Sequence, residues 1–358
     1  MSKIIEYTPP VSLRNCFAIK KNNGIRPFHN VTLTFRGRDA ISLAVEHFEL
    51  KKSDVVLFPG FLCKIIVNPF TDNLTPEYYD IEKDLSINTE YIESILSNHK
   101  VKVLYIIHYF GFLHENLSQL SRICKKHGVL LWEDHAHSAL SQFSYNFADA
   151  MIFSFRKVLP IPDGGGLWLP NTSPMKISRG SIFSSNITSM LIVAHRSKWG
   201  INKNIGRITH SISCNNNGSQ HNGHKKITPK PISYFSKRII KSIDMKSIFT
   251  IRRDIFLKWQ DLLVNSQFNP VFTSLPEDAC PQSFPILVQN PQELLIKFWK
   301  FNVCLKNRWP LEEQMKEKCP TAFNLSNSIF ALPIYPGLSQ SDMELIMTLL
   351  KQYGKPLP

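Results

Sequence analysis

The chain has 358 residues, 43% of them hydrophobic and 20% charged, which suffices for a large buried core and excludes a disordered or fibrous protein. Its longest apolar run, Val101 to Phe110, is broken by Lys102 and His108 and falls short of the ~18 residues of a membrane span. The net charge of +14 is spread rather than clustered, with local density only around Lys225-Lys226, Lys237-Arg238, Lys241 and Arg252-Arg253. That spread argues against a nucleic-acid module and is met equally by a diphosphate-bearing substrate or by simple solubility.

Met1 to Pro10 has neither the apolar core nor the cleavage site of a signal peptide, so a cytoplasmic protein without membrane attachment is expected. The seven cysteines, at 16, 63, 124, 214, 280, 304 and 319, are scattered and never spaced C-x-x-C, the pattern of reduced thiols rather than zinc ligands or disulfides.

In chain order, Asp39 to Phe48 is helical in period, with Ala40, Ile41, Leu43, Ala44 and Phe48 on one side. Asp54 to Pro59 is a short apolar run stopped by Pro-Gly, a buried strand. Thr89 to Leu96 repeats Tyr91, Ile92, Ile95 and Leu96 as a second helix, and Val101 to Ile107 is a β-branched strand buried on both faces. Asn116 to His127 is a helix that Gly128 stops. Val129 to Trp132, Ala150 to Phe153 and Leu167 to Leu169 are further strands. Such alternation predicts an α/β fold, a mostly parallel central sheet with helices on both faces. A small α+β C-terminal domain completes it.

Asn202 to Lys230 has no apolar period and reads as a mobile loop, set at 203–232. Its histidines give no ligand spacing, and no metal is expected. Ser236 to about Asn265 reads as one helix, and Ser341 to Leu350 as another after Leu332-Pro333-Ile334. The expected domains are 1–245 and 246–358.

In parallel sheets ligands bind beyond the carboxyl ends of the strands, where His108, Asp134 and Ser154 to Lys157 all fall. A lysine at one strand end and an aspartate at a neighbouring one suit pyridoxal phosphate: the amine condenses with the aldehyde, and the carboxylate keeps the pyridine nitrogen protonated. Gly37, Arg38 and Asp39 open a helix whose N–H groups suit the cofactor phosphate, with Ser154 adding a hydroxyl.

These elements resemble, in order, the DegT/DnrJ/StrS family of sugar aminotransferases, a branch of the fold-type I pyridoxal phosphate enzymes. Gly37-Arg38-Asp39-Ala40-Ile41 stands at the family's Gly-Thr-Ala-Ala-Leu, and Asp54 to Pro59 at its strand ending in proline. Tyr79-Asp80-Ile81, His108-Tyr109-Phe110-Gly111, Glu133-Asp134-His135-Ala136-His137 and Ser154 to Lys157 with Asp163-Gly164-Gly165 are similar to four further motifs. The resemblance is clearest from Arg36 to Leu169, returns from Phe284 to Ile334, and is absent between 171 and 250.

It implies Lys157 as the cofactor lysine and proton shuttle, Asp134 as partner of the pyridinium, and His137 and His108 near the ring. Cys63 stands where the family stacks an aromatic, and no Gly-x-Asn-x-Arg loop toward a neighbouring subunit is evident. The implied protein is a homodimer that moves an amino group, from glutamate, to a nucleotide-linked keto sugar for polysaccharide or sugar-derivative synthesis. The alternative is a fold that has lost turnover and serves regulation or assembly. Arg252, Arg253 and Arg308 are candidates for the donor carboxylate.

Overall fold

The computed structural model describes residues 5–6, 28, 30–70, 74–177, 180–196, 228–305 and 309–357. Short β1 (Ile5–Glu6) pairs in parallel with β10 (Val303–Cys304). The main sheet has seven strands in the order β2 (Thr32–Thr34), β8 (Gly165–Trp168), β7 (Ala150–Phe153), β6 (Leu130–His135), β5 (Val101–Ile107), β3 (Asp54–Pro59) and β4 (Leu74–Tyr79). The strands from β7 across to β4 run parallel, whereas β8 and β2 add antiparallel. The mostly parallel α/β sheet anticipated from the alternation is therefore present.

Helices α1 (Gly37–His47), α2 (Thr89–Asn98) and α3 (Leu117–His127) are the crossovers. Asn88 caps α2 by accepting from the Tyr91 N–H, and Gly128 ends α3 in the left-handed region at φ 66. Strands β5 and β7 are almost wholly buried, as continuous apolar runs require between two helix layers. Edge strands β2 and β4 show no apolar run. In β4 the sequence Leu-Thr-Pro-Glu-Tyr-Tyr hides a strand, because Pro76 is tolerated only where the sheet has no further neighbour.

Beyond the sheet lie α4 (Gly180–Arg196), α5 (Tyr234–Ser242) and α6 (Met245–Leu263). The single helix expected from 236 to 265 is two. Ile243 is extended, and Ser233 and Asp244 each start a helix by accepting from the backbone N–H three residues on. Most of the loop expected at 203–232 lies outside the described residues. Its last part, 228–232, is ordered on the sheet edge, where the Phe35 N–H donates to Lys230 O at 2.7 Å.

The C-terminal elements are β9 (Ser283–Leu287), α7 (Pro291–Lys300), α8 (Met315–Lys318), α9 (Pro320–Ser328), β11 (Ile329–Pro333) and α10 (Gln340–Tyr353). Strands β9 and β11 form an antiparallel pair, and a Ser339–Asp342 capping box opens α10. One hydrophobic core runs from α1 and the main sheet through Trp259 of α6 to Phe284, Leu332 and Ile346.

Candidate active site

Strands β5, β6 and β7 end together, and a single 3-10 turn, Phe155–Lys157, follows β7. The N–H groups of Lys157, Val158 and Leu159 close that turn onto Ser154 O and Phe155 O at 2.8–3.1 Å. Lys157 keeps part of its surface open. Burial lowers its pKa, while Asp134 and Cys63 nearby pull it up. A lysine lowered in this way more readily presents a neutral, nucleophilic amine.

Asp134 is buried, and both carboxylate oxygens are oriented. Oδ2 accepts from the Tyr105 hydroxyl at 2.8 Å and Oδ1 from the Ala136 N–H at 2.7 Å. Burial raises its pKa against the opposing pull of Lys157 and these donors. Tyr105 is pushed well above the ordinary phenol value by burial and by Asp134, so it remains a donor. A carboxylate with two donors still has lone pairs for a third.

His137 is fully buried, and burial together with Lys157 holds its pKa well below the ordinary value. Its Nδ1 accepts from the Phe110 N–H at 3.2 Å, which places the ring proton on Nε2. That Nε2 is buried without a partner among the described residues. Phe110 takes up the left-handed region, φ 55, to point its N–H there.

The expected phosphate cradle is partly assembled. The Gly37 and Arg38 N–H groups precede the first intrahelical bonds of α1, and a Cβ on Gly37 would lie 3.6 Å from Ser154 Cβ. A Cβ on Gly165 would come within 2.6 Å of the Gly37 nitrogen, so only glycine lets α1 start against the lysine loop. Asp39 is not brought into this cradle. Its N–H donates to Arg36 O, its carboxylate accepts from the Lys230 N–H at 3.1 Å, and burial raises its pKa.

His108 is placed elsewhere too. Alternation along β6 sends Glu133 and His135 to the sheet face opposite Asp134, and His108 joins them. The Nε2–H groups of His108 and His135 donate to Glu133 Oε2 at 3.0 and 3.1 Å. Burial opposes the charge on Glu133, yet the two donors prevail and hold its pKa at about 2. The three residues also have a divalent-metal donor set. Both rings, however, are committed: the His114 N–H donates to His108 Nδ1, and the Ser138 hydroxyl faces His135 Nδ1. Each Nε2 therefore carries the proton a metal ligand must give up.

Arg252 is fully buried among backbone carbonyls, and Arg253 bonds the carbonyls of Glu277 and Ala279, so neither faces Lys157. Arg308 lies outside the described residues. Sequence reasoning did not find Tyr105, hidden in an apolar strand, or Trp309, which stacks on His137 at 5.3 Å and adjoins Phe61 and Tyr109. Nor did it give Asp163 its part: its carboxylate accepts from the hydroxyls of Ser189, Ser233 and Ser236, tying the lysine loop to α4 and α5.

Residues 27–179 match the DegT/DnrJ/EryC1/StrS aminotransferase family. Over that stretch, less than half of its length, the chain resembles this family. No curated protein sequence matches it. Among solved structures, the putative sugar aminotransferase Spr1654 from Streptococcus pneumoniae superposes with a TM-score of 0.68 at 14% identity, over 98% of this chain and 97% of that one. PseC from Helicobacter pylori, an aminotransferase of pseudoaminic acid biosynthesis, gives 0.69 at 15%, over 98% and 99%. S. venezuelae DesV gives 0.63 at 14%, over 90% of this chain and 84% of that one. At these identities the likeness shows a common fold.

The matched stretch, which carries Lys157, Asp134 and the start of α1, is thus that of an aminotransferase with pyridoxal 5'-phosphate as its cofactor. Its residues fit that group. His137 offers a buried donor lacking a partner among the described residues, Asp134 a buried carboxylate with capacity to spare, and α1 two leading amides.

Proposed function

We propose that this protein transfers an amino group from an amino acid, glutamate first, to a keto sugar carried by a nucleotide. The observation that carries the reading is part-exposed Lys157 standing beside buried Asp134, with the Nε2–H of His137 lacking a partner among the described residues. Two of the similar structures bear on sugars in their own right: Spr1654 is described as a putative sugar aminotransferase, and PseC serves pseudoaminic acid synthesis. The net charge of +14 suits a substrate with a diphosphate.

When bound, the cofactor supplies an aldehyde for amine exchange and a ring that withdraws electrons. Asp134, oriented by Tyr105 and Ala136, holds a proton at the pyridine nitrogen. Lys157, with its amine free, would take the proton from the substrate carbon and deliver it to the cofactor. His137, kept neutral by burial, donates from Nε2 to an oxygen of the ring. The Gly37 and Arg38 amides and the Ser154 hydroxyl receive the phosphate.

We further read the enzyme as a cytoplasmic homodimer with a small domain from 246. Among the described residues no helix is long and apolar enough to cross a membrane. Helix α4 exposes Phe183 (74%), Ile187 and Met190 (58%) at helical spacing, with Tyr234 beside them, a stripe suited to a second copy. Met190→Glu should leave a monomer in sedimentation; an unchanged species would remove this face from the interface.

The primary test is the absorption spectrum with pyridoxal phosphate, for wild type and Lys157→Ala. A long-wavelength band in the wild type, absent from the variant and bleached by glutamate, is expected. A band that no amino donor bleaches would make the protein a cofactor-binding scaffold without turnover. No band at all would overturn the site assignment.

A further inference from the structure

Lys157 is anchored by more than its own turn. Arg252 of α6 has no exposed surface, and burial lowers its pKa to about 10. Its guanidinium is answered by carbonyls. Nη1 donates to Pro281 O, Gln282 O and Ile334 O at 3.1, 3.3 and 2.8 Å, and Nη2 donates to Val158 O at 2.8 Å. Pro281 and Gln282 lead into β9, Ile334 follows β11, and Val158 follows Lys157. One side chain thus bridges the small sheet and the lysine turn.

Burying a cation without a counter-charge is expensive, and docking the small sheet does not require it. Trp259 shows this on the same face of α6: it is fully buried, neutral, and donates from Nε1 to Pro333 O at 3.0 Å. What Trp259 does not do is reach the lysine turn. The planar fork of Arg252 addresses both bodies at once.

We propose that Arg252 is a positioning residue for Lys157: by holding Val158 O in register with the β9–β11 sheet, it makes the docking of that sheet set where the lysine amine stands. The proposal rests on Lys157 as the cofactor lysine. A displacement of about 1 Å at a reacting group costs on the order of 100-fold in rate, so a clamp one residue away matters.

The test compares Arg252→Gln and Arg252→Lys with Trp259→Phe, which weakens the same docking without touching Val158. In cofactor-free protein, hydrogen exchange at the amides of 157–159 should quicken about tenfold in the Arg252 variants and stay at the wild-type rate in Trp259→Phe. In loaded enzyme, single turnover should slow ten- to a hundred-fold, and the pH midpoint of the cofactor band should move, again only in the Arg252 variants. Arg252→Lys retains one cationic donor and serves if the glutamine variant does not fold. A wild-type band with all three variants alike would overturn the inference alone. Arg252 variants with wild-type exchange and midpoint would do the same. A wild type with no band would overturn the reading of Lys157 and the inference with it.

Discussion

The two faces of β6 at its carboxyl end use the same chemistry to opposite ends. On one, Asp134 is oriented by Tyr105 and Ala136 but faces outward to Lys157, and His137 nearby has a donor with nothing among the described residues to receive it. On the other, Glu133 draws the N–H of two histidines onto one oxygen, and His135 and His108 are tied in turn to Ser138 and His114. The contrast separates a site from a scaffold. Each face leaves one buried polar atom without a partner among the described residues, Glu133 Oε1 on one and His137 Nε2 on the other, but only the second lies beside a reactive amine.

Exchanging charge for amide on each face should break the molecule in different ways. Asp134→Asn should lower turnover by about 100- to 1,000-fold, the scale of losing one preorganised electrostatic partner, and change stability little. Glu133→Gln should do the reverse, costing roughly 2–3 kcal/mol of stability through lost charge-assisted hydrogen bonds. Turnover per bound cofactor should fall less than tenfold. Urea melts and cofactor-normalised rates on both variants decide the matter. Equal loss of turnover would mean that Glu133 acts on the chemistry, and the separation of the two faces would fail.

Much of the first face was legible in the sequence. Lys157, Asp134, Ser154 and Gly37 stand at strand ends and a helix start, positions that periodicity and the Pro-Gly and Gly stops locate without coordinates. The second face was not. Strand ends point collectively toward the site, and on sequence alone that directs His108 to the cofactor. Which face a residue takes depends on alternation counted against a neighbour in register, and the Ile107–Asp134 pairing alone settles it. Asp39 was misplaced for a related reason: its partner, the Lys230 N–H, comes from a segment without any pattern. Arg252 lacked any local signal, since its four acceptors come from three distant stretches of chain.

The smallest expected effect concerns pH. Burial and neighbouring His108 hold His135 at about 4 and His114 at about 3, and burial with Lys157 keeps His137 well below the usual 6.5. The unfolded chain therefore takes up these protons first as pH falls. Stability is fully present above 6.5 and declines below it, by about 1.4 kcal/mol per histidine for each pH unit in the region where only the unfolded state is protonated. The raised Asp134 and Asp39 act with the opposite sign, over a range that extends upward from their ordinary value of 3.8. Urea midpoints between pH 6.5 and 5.5 thus weight the histidines. His135→Asn and His137→Gln should each remove a comparable share of the slope there, although one lies in the closed network and the other faces the site. Saturating cofactor should distinguish them: a ligand that accepts from His137 Nε2 favours the protonated ring and shrinks its share of the slope, whereas His135 is screened by the sheet. If cofactor leaves the contribution of His137 unchanged while altering that of His135, the partnerless donor is not the one the cofactor meets.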